Sequence, residues 1–194
     1  MPTGETLRDW LSALHEEVIS WCEGRRWTWR VPLLAFFAYV AVRHLADPMY
    51  TSIFGGINLG IHELGHVVFS WAGQWVSVLG GTLLQCAAPV VAAFLFLRQP
   101  DYFGVTVAGV WLSTNLYGVA TYMADARALE LPLVTIGPEG GEVEHDWNYL
   151  LDSVNLLNYD TTLAGLVRLL AFLLMWGSIA GGAWMCWRMA RGRT

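Results

Sequence analysis

His62, Glu63 and His66 stand in the stretch NLGIHELGHVVFSW, residues 58–71, which is otherwise almost wholly apolar. On a helix the two histidines fall at i and i+4. Both imidazoles then project from one face and can supply two nitrogen ligands to a tetrahedral zinc ion. Glu63 sits beside them, awkward as a further ligand to the same ion but suited to take a proton from a water that the ion holds. Zinc lowers the pKa of such a water to about 7, which makes a nucleophile at neutral pH. Gly65 keeps the helix slim, so that another backbone or an extended substrate can come close. A charged side chain inside a bilayer costs roughly 2.5–3.5 kcal/mol. Three ionisable groups in such a segment therefore point to function, with metal binding the first candidate.

A catalytic zinc takes three protein ligands and keeps a fourth position for water. The missing ligand must be Asp, Glu or His from elsewhere in the chain. EHDW, residues 144–147, offers His145 and Asp146 ahead of an amphipathic stretch, 147–157, that reads as a helix. His145 is ranked first and Asp146 second, because Asp146 serves equally well as the N-cap of that helix. Whichever of the two does not bind can orient a ligand histidine. Asp125, in NLYGVATYMADAR, is the alternative; its plainer use is a helix-end aspartate paired with Arg127.

These groups need elements to hold them, and the composition says of what kind. Of 194 residues 55% are apolar and 14% charged, against a usual charged share of about 25%. There are 11 tryptophans, a residue enriched where membranes meet water, and all 11 positive charges are arginine. A net charge of −5 gives no reason to expect a nucleic-acid partner. The three cysteines, Cys22, Cys86 and Cys186, follow no metal or disulfide spacing, and residues 1–24 lack the pattern of a signal peptide.

The fold class is all-α and polytopic. Residues 6–22 place Leu7, Trp10, Leu11, Leu14, Val18 and Trp21 at helical spacing, an amphipathic N-terminal helix for a membrane surface or a partner. GRRWTWR follows as an interfacial anchor. Apolar runs at 31–46, 75–97, 103–124 and 162–187 read as about four transmembrane helices. The HELGH segment, some 15 residues, is short or re-entrant. This divides the chain into an amphipathic segment, 1–26, a membrane domain, 27–188, with an acidic extramembrane loop at 125–161, and a basic tail, 189–194. With four spans, Arg25, Arg26, Arg30, Arg98, Arg188, Arg191 and Arg193 share one side, cytoplasmic by the positive-inside rule, as do both termini. Gly-Gly at 80–81 and at 181–182 reads as close helix packing. His15 and His44 are assigned no role.

HELGH in a hydrophobic segment of a small multi-span chain resembles the site-2 protease class of intramembrane zinc metallopeptidases, in its M50B-like bacterial branch. The resemblance covers roughly residues 50–185, and GGTLLQCAAP (80–89) and Asn115 in the following spans support it. It implies a bacterial inner-membrane protein and a membrane helix that supplies an aspartate ligand within an Asn…Pro…Leu-Asp-Gly motif. This chain has no Leu-Asp-Gly, and Asp125, ten residues after Asn115, occupies about that place. The resemblance also implies that Asn115 orients substrate or stabilises an oxyanion; its plainer reading is an interhelical hydrogen bond, worth about 0.6 kcal/mol in membranes. Gln85 faces the same choice, with the hydrogen bond ahead.

Two functions follow. In the first, zinc is held by His62, His66 and a third His or Asp, Glu63 is the general base, and the substrate is a peptide bond in or near a membrane segment. The acidic loop 137–146 then acts as a gate with Gly137, Gly140 and Gly141 as hinges. In the alternative, a closed four-ligand site braces a non-catalytic membrane subunit that docks partner subunits in a larger complex.

Overall fold

Nearly every long apolar run forms a helix, because lipid offers no partner for backbone N–H and C=O groups and only helical or closed-barrel pairing satisfies them. The computed structural model describes residues 7–132 and 145–192. Among these residues lie seven α-helices: α1 (Leu7–Cys22), α2 (Arg30–Ala46), α3 (Gly55–Phe69), α4 (Gln74–Arg98), α5 (Tyr102–Ala124), α6 (Asp146–Ser153) and α7 (Asp160–Arg191). Short 3₁₀ turns at Ser70–Ala72 and Leu157–Tyr159 lead into α4 and α7.

Three helices, α4, α5 and α7, are long and apolar enough to cross a membrane. Helix α2, at 17 residues, sits at the short end of the spanning range. Helix α3 has 15 residues and so extends only about 22 Å, less than the ~30 Å hydrocarbon core. The innermost helix is α5: 56% of its apolar window is buried, against 22% for α4 and 17% for α7. The outward faces of α4 (Val90, Val91, Phe94) and α7 (Leu166, Leu169, Leu173) are exposed. In water such faces would be a liability; facing lipid they are the expected surface.

Polar side chains fasten the bundle. Ser113 Oγ on α5 donates to the Ala171 carbonyl of α7 at 2.6 Å. Arg168, the charged residue inside α7, donates to Thr121 Oγ1 at 3.0 Å. Asp101 caps α5 by accepting from Gly104 N at 3.1 Å. Helix α1 lies along α7 with Trp21 and Cys22 buried and with Leu14 and Val18 packed on the core. Its Leu7, Trp10 and Leu11 are left exposed, in keeping with the amphipathic reading.

Helices α3 and α4 form a tight hairpin. The chain reverses at Gly73, whose φ of +91° is open to glycine and strained for other residues. Above the turn the two backbones nearly touch: a Cβ on Gly65 would lie 2.3 Å from the Gly80 carbonyl oxygen. The Gly80–Gly81 pair is thus a packing device, as its sequence suggested. The front of α3 is tied to α5, where Trp111 Nε1 donates to Asn58 Oδ1 at 2.8 Å.

Part of the acidic region after α5 is helical. Its described part folds back, and α6 buries Leu150 and Leu151 against the bundle. The helix expected at 147–157 ends earlier, at Ser153, and Asn155 adopts a left-handed conformation, φ +58°, that Asn tolerates better than most residues. Glu144 and the three proposed hinge glycines, Gly137, Gly140 and Gly141, lie outside the described residues.

Candidate metal centre

Three potential ligand atoms from two distant parts of the chain meet at one point. His62 Nε2 lies 2.8 Å from Asp146 Oδ2 and 3.0 Å from His66 Nε2. His66 Nε2 lies 3.3 Å from the same carboxylate oxygen. Two ligand atoms on a tetrahedral zinc, each 2.0–2.1 Å from it, stand about 3.3 Å apart. The triangle therefore has the size of a metal site drawn in by a few tenths of an ångström.

The protonation pattern also suits a cation. His66 Nδ1 is 2.9 Å from the Ser77 carbonyl, which can only accept, so Nδ1 carries the hydrogen. In the neutral ring that leaves the Nε2 lone pair facing Asp146 Oδ2. Two acceptors at that distance repel unless a proton or a metal ion lies between them. With a proton in that gap, burial alone would raise the Asp146 pKa, but hydrogen bonds from His62 and His66 outweigh it and hold the carboxyl below its usual value. Asp146 is thus ionised at neutral pH, as a ligand must be.

The neighbouring helix leaves room for this. A Cβ added to Gly81 would stand 2.7 Å from His66 Nε2 and 2.8 Å from His62 Nε2. Ser77, one turn earlier on α4, both accepts from His66 Nδ1 and donates through Oγ to the His66 carbonyl at 3.0 Å. Such a second partner fixes tautomer and ring orientation in metal-ligating histidines.

Asp146 comes from α6, which is pinned over the hairpin at three points. Its own N–H donates to Tyr122 Oη at 3.1 Å. Asn148 Nδ2 donates to the Ala126 carbonyl at 2.7 Å, and Trp75 Nε1 to Ser153 Oγ at 3.0 Å. Asn148→Ala should loosen this seat and weaken metal retention about 10-fold, measured by competition with a chelator while helix content stays unchanged.

The other ranked candidates are not in the triangle. His145, placed ahead of Asp146 on sequence grounds, is the N-cap of α6: its Nδ1 accepts from Asn148 N at 3.2 Å. Burial holds its pKa below the ordinary value, and the neutral ring keeps the lone pair that cap requires. The ring packs on Tyr122, with centroids 4.1 Å apart. Its Nε2 stands 3.5 Å from Asp125 Oδ2, beyond good hydrogen-bond range. Asp125 is occupied elsewhere, its two oxygens accepting from Glu130 N at 2.9 Å and Leu131 N at 3.0 Å. Those bonds hold the turn in which Leu129 takes a φ of +52°. Arg127, the partner expected for Asp125, pairs instead with Asp160 at 2.7 Å.

Glu63 is half-buried and offers a carboxylate oxygen within 4.8 Å of the histidine nitrogens, but it forms no ion pair with them. At that range the carboxylate can act on a water beside an ion or serve as a further ligand to it. A cavity of about 440 Å³ opens beside the site, with His62, Gln85, Asn115 and Tyr122 in its wall. Asn115 is 1% exposed; its Nδ2 serves the Trp111 carbonyl of its own helix at 3.3 Å, and its Oδ1 has no partner among the described residues.

Ser77, Gly81, Tyr122 and Asn148 were not singled out as site residues by sequence reasoning. Gly81 alone had a signal, the Gly-Gly pair one helix after HELGH; the others are ordinary residues until the helices pack. No family model, no curated protein and no solved structure matches this chain.

Proposed function

We propose that this chain is a membrane-embedded zinc metallopeptidase that cleaves a peptide bond in or beside a membrane segment. One juxtaposition carries this function: His62 and His66 on α3 and Asp146 on α6, 84 positions from His62, converge within 3.3 Å with Glu63 beside them. Two imidazoles and one carboxylate form a familiar ligand set of catalytic zinc, which keeps a fourth position open. When bound, the ion would lower the pKa of a ligated water to about 7.

The protein's own groups supply the rest. Glu63 takes the proton from the attacking water and returns it to the leaving amine. Ser77 and Tyr122 keep the histidine and aspartate ligands oriented. Asn115, with its N–H₂ engaged and its carbonyl oxygen unpaired, is better fitted to accept from a substrate N–H than to donate to an oxyanion. The cavity leaves room for water and polar backbone, without which hydrolysis at membrane depth cannot proceed. In this reading α2, α4, α5 and α7 span an inner membrane, α3 is re-entrant, and the arginine-rich ends and termini are cytoplasmic. The resemblance to site-2 proteases then holds for HELGH and departs at the carboxylate, which a surface helix delivers. Against the closed structural site of the alternative stands the engagement of His145 and Asp125 elsewhere, which leaves Glu63 as the group whose role, base or fourth ligand, separates the two readings.

The test is elemental analysis of protein purified without chelators, followed by cleavage assays on quenched single-span membrane peptides. About one zinc per chain in wild type, next to none in His62→Ala, and cleavage abolished by a chelator and restored by zinc are expected. A wild-type protein that holds no divalent metal would overturn the proposal.

A further inference from the structure

The candidate metal centre is shallow. Tyr122 stands two residues before the end of α5, Ser77 three residues after the start of α4, and Asp146 is the first residue of α6. Arg127, just past α5, pairs at 2.7 Å with Asp160, which opens α7, so these helix ends share one level. Trp71 and Trp75, about the start of α4, and Tyr159, just before α7, are exposed at that level, where such side chains mark the passage from hydrocarbon to water. Gly81, against the two imidazoles, is seven residues into α4, about 10 Å from its start, and Arg98 closes the same helix about 26 Å further on. Helix α4, about 37 Å long, outreaches a hydrocarbon core of ~30 Å, which brings the ligand atoms closer still to the headgroups of the near leaflet.

The far end carries the arginines. Arg26 and Arg30 lead into α2, Arg98 ends α4, and Arg188 and Arg191 lie in the last turn of α7. With that end cytoplasmic by the positive-inside rule, the metal centre belongs to the exocytoplasmic face. The cavity beside it has a polarity to match. Thr82, Asn115 and His44 stand in its walls on three different helices. Thr82 Oγ1, Asn115 Oδ1 and His44 Nε2 are each buried without a hydrogen-bond partner among the described residues. Unpaired buried polar groups are costly. Water or a polar peptide offsets that cost, and the side chains of an apolar span do not.

We infer, resting on the peptidase reading of the metal centre, that the substrate is a membrane-anchored polypeptide cut in the polar segment that leaves its anchor on the exocytoplasmic face. The bond broken is the peptide C–N bond of that segment: water gives its hydroxyl to the acyl carbon and its proton to the departing amine. A bond placed there is reached without unwinding a helix inside lipid, where every freed N–H and C=O would lack a partner.

Two measurements on the full chain test this. In intact cells a membrane-impermeant maleimide should label Gly118→Cys, a cavity-wall position where an added Cβ meets no heavy atom within 4 Å, above the wild-type blank. It should also label Asp152→Cys, exposed on α6, and spare Gln99→Cys, exposed in the turn between α4 and α5. Labelling of Gln99→Cys in place of Asp152→Cys, or of Asp152→Cys without Gly118→Cys, would overturn the inference whatever the enzyme cleaves. Zinc-loaded protein in liposomes is then given single-span peptides with a polar flank at each end, and the products are located by mass spectrometry. Cuts should fall in a flank, close to the end of the span. Cuts confined to the span would overturn the inference and leave the peptidase reading standing; no cut in any peptide would overturn both.

Discussion

Glu63→Gln should leave the metal content of the protein intact and cost about 10²–10⁴-fold in peptide hydrolysis, the range for removing a general base. The amide has nearly the volume and shape of the carboxylate, so the half-buried position between the two histidines is filled as before. No hydrogen bond to a ligand is lost, because the ties that orient the triangle run to Ser77 and, through the Asp146 backbone, to Tyr122. What disappears is the carboxylate that stands beside the two histidines and can accept a proton from water. Metal per chain and turnover should be measured on the same preparation. Full metal with full activity would remove Glu63 from the mechanism. Lost metal would make it a ligand and bring the closed structural site back.

Helix positions were the legible part of this chain. Hydropathy and period alone locate each helix from α1 to α7 to within a few residues, because in lipid an apolar run has little choice but to pair its backbone within itself. HELGH was legible for a similar reason: an i, i+4 histidine pair shares a helix face whatever surrounds it. The carboxylate that meets the two histidines was not. EHDW shows which residue types are available but not which of two adjacent side chains turns inward. The N-cap preference favours Asp over His, so local rules assign the cap to Asp146 and leave His145 to the metal. Tertiary packing reverses both roles. Tyr122 packs against the His145 ring and accepts from the Asp146 N–H, and the Asp146 carboxylate faces the α3 histidines. Asp125 is drawn elsewhere in the same manner: it follows α5 at the expected place, and both of its carboxylate oxygens hold the turn after it. Each reversal comes from a contact between residues more than four positions apart, where periodicity carries no information.

Gly81→Ala is the sharper test of where the ion sits, since it changes no ligand. The added methyl carbon would lie 2.7 Å from His66 Nε2 and 2.8 Å from His62 Nε2 and Cε1. Each contact is well inside van der Waals range, and the two nitrogens are those whose lone pairs must reach an ion 2.0–2.1 Å away. The imidazoles are stiffly held, so the methyl pushes them out of line. Metal retention should fall about 100-fold or more, at or beyond the upper end of what outer-shell substitutions cost. Gly80→Ala is the control. Its Cβ meets the Phe69 side chain at 2.6 Å and the Gly65 carbonyl oxygen at 2.9 Å, and none of its three nearest neighbours is an imidazole atom. Both variants overpack the α3–α4 hairpin, a strain of about 1–3 kcal/mol that lowers the thermal midpoint in each. Only Gly81→Ala should also lose the metal. If both bind it as wild type does, the ion does not sit where the three ligand atoms converge; if both lose it, the hairpin as a whole and not the shape of the pocket controls binding.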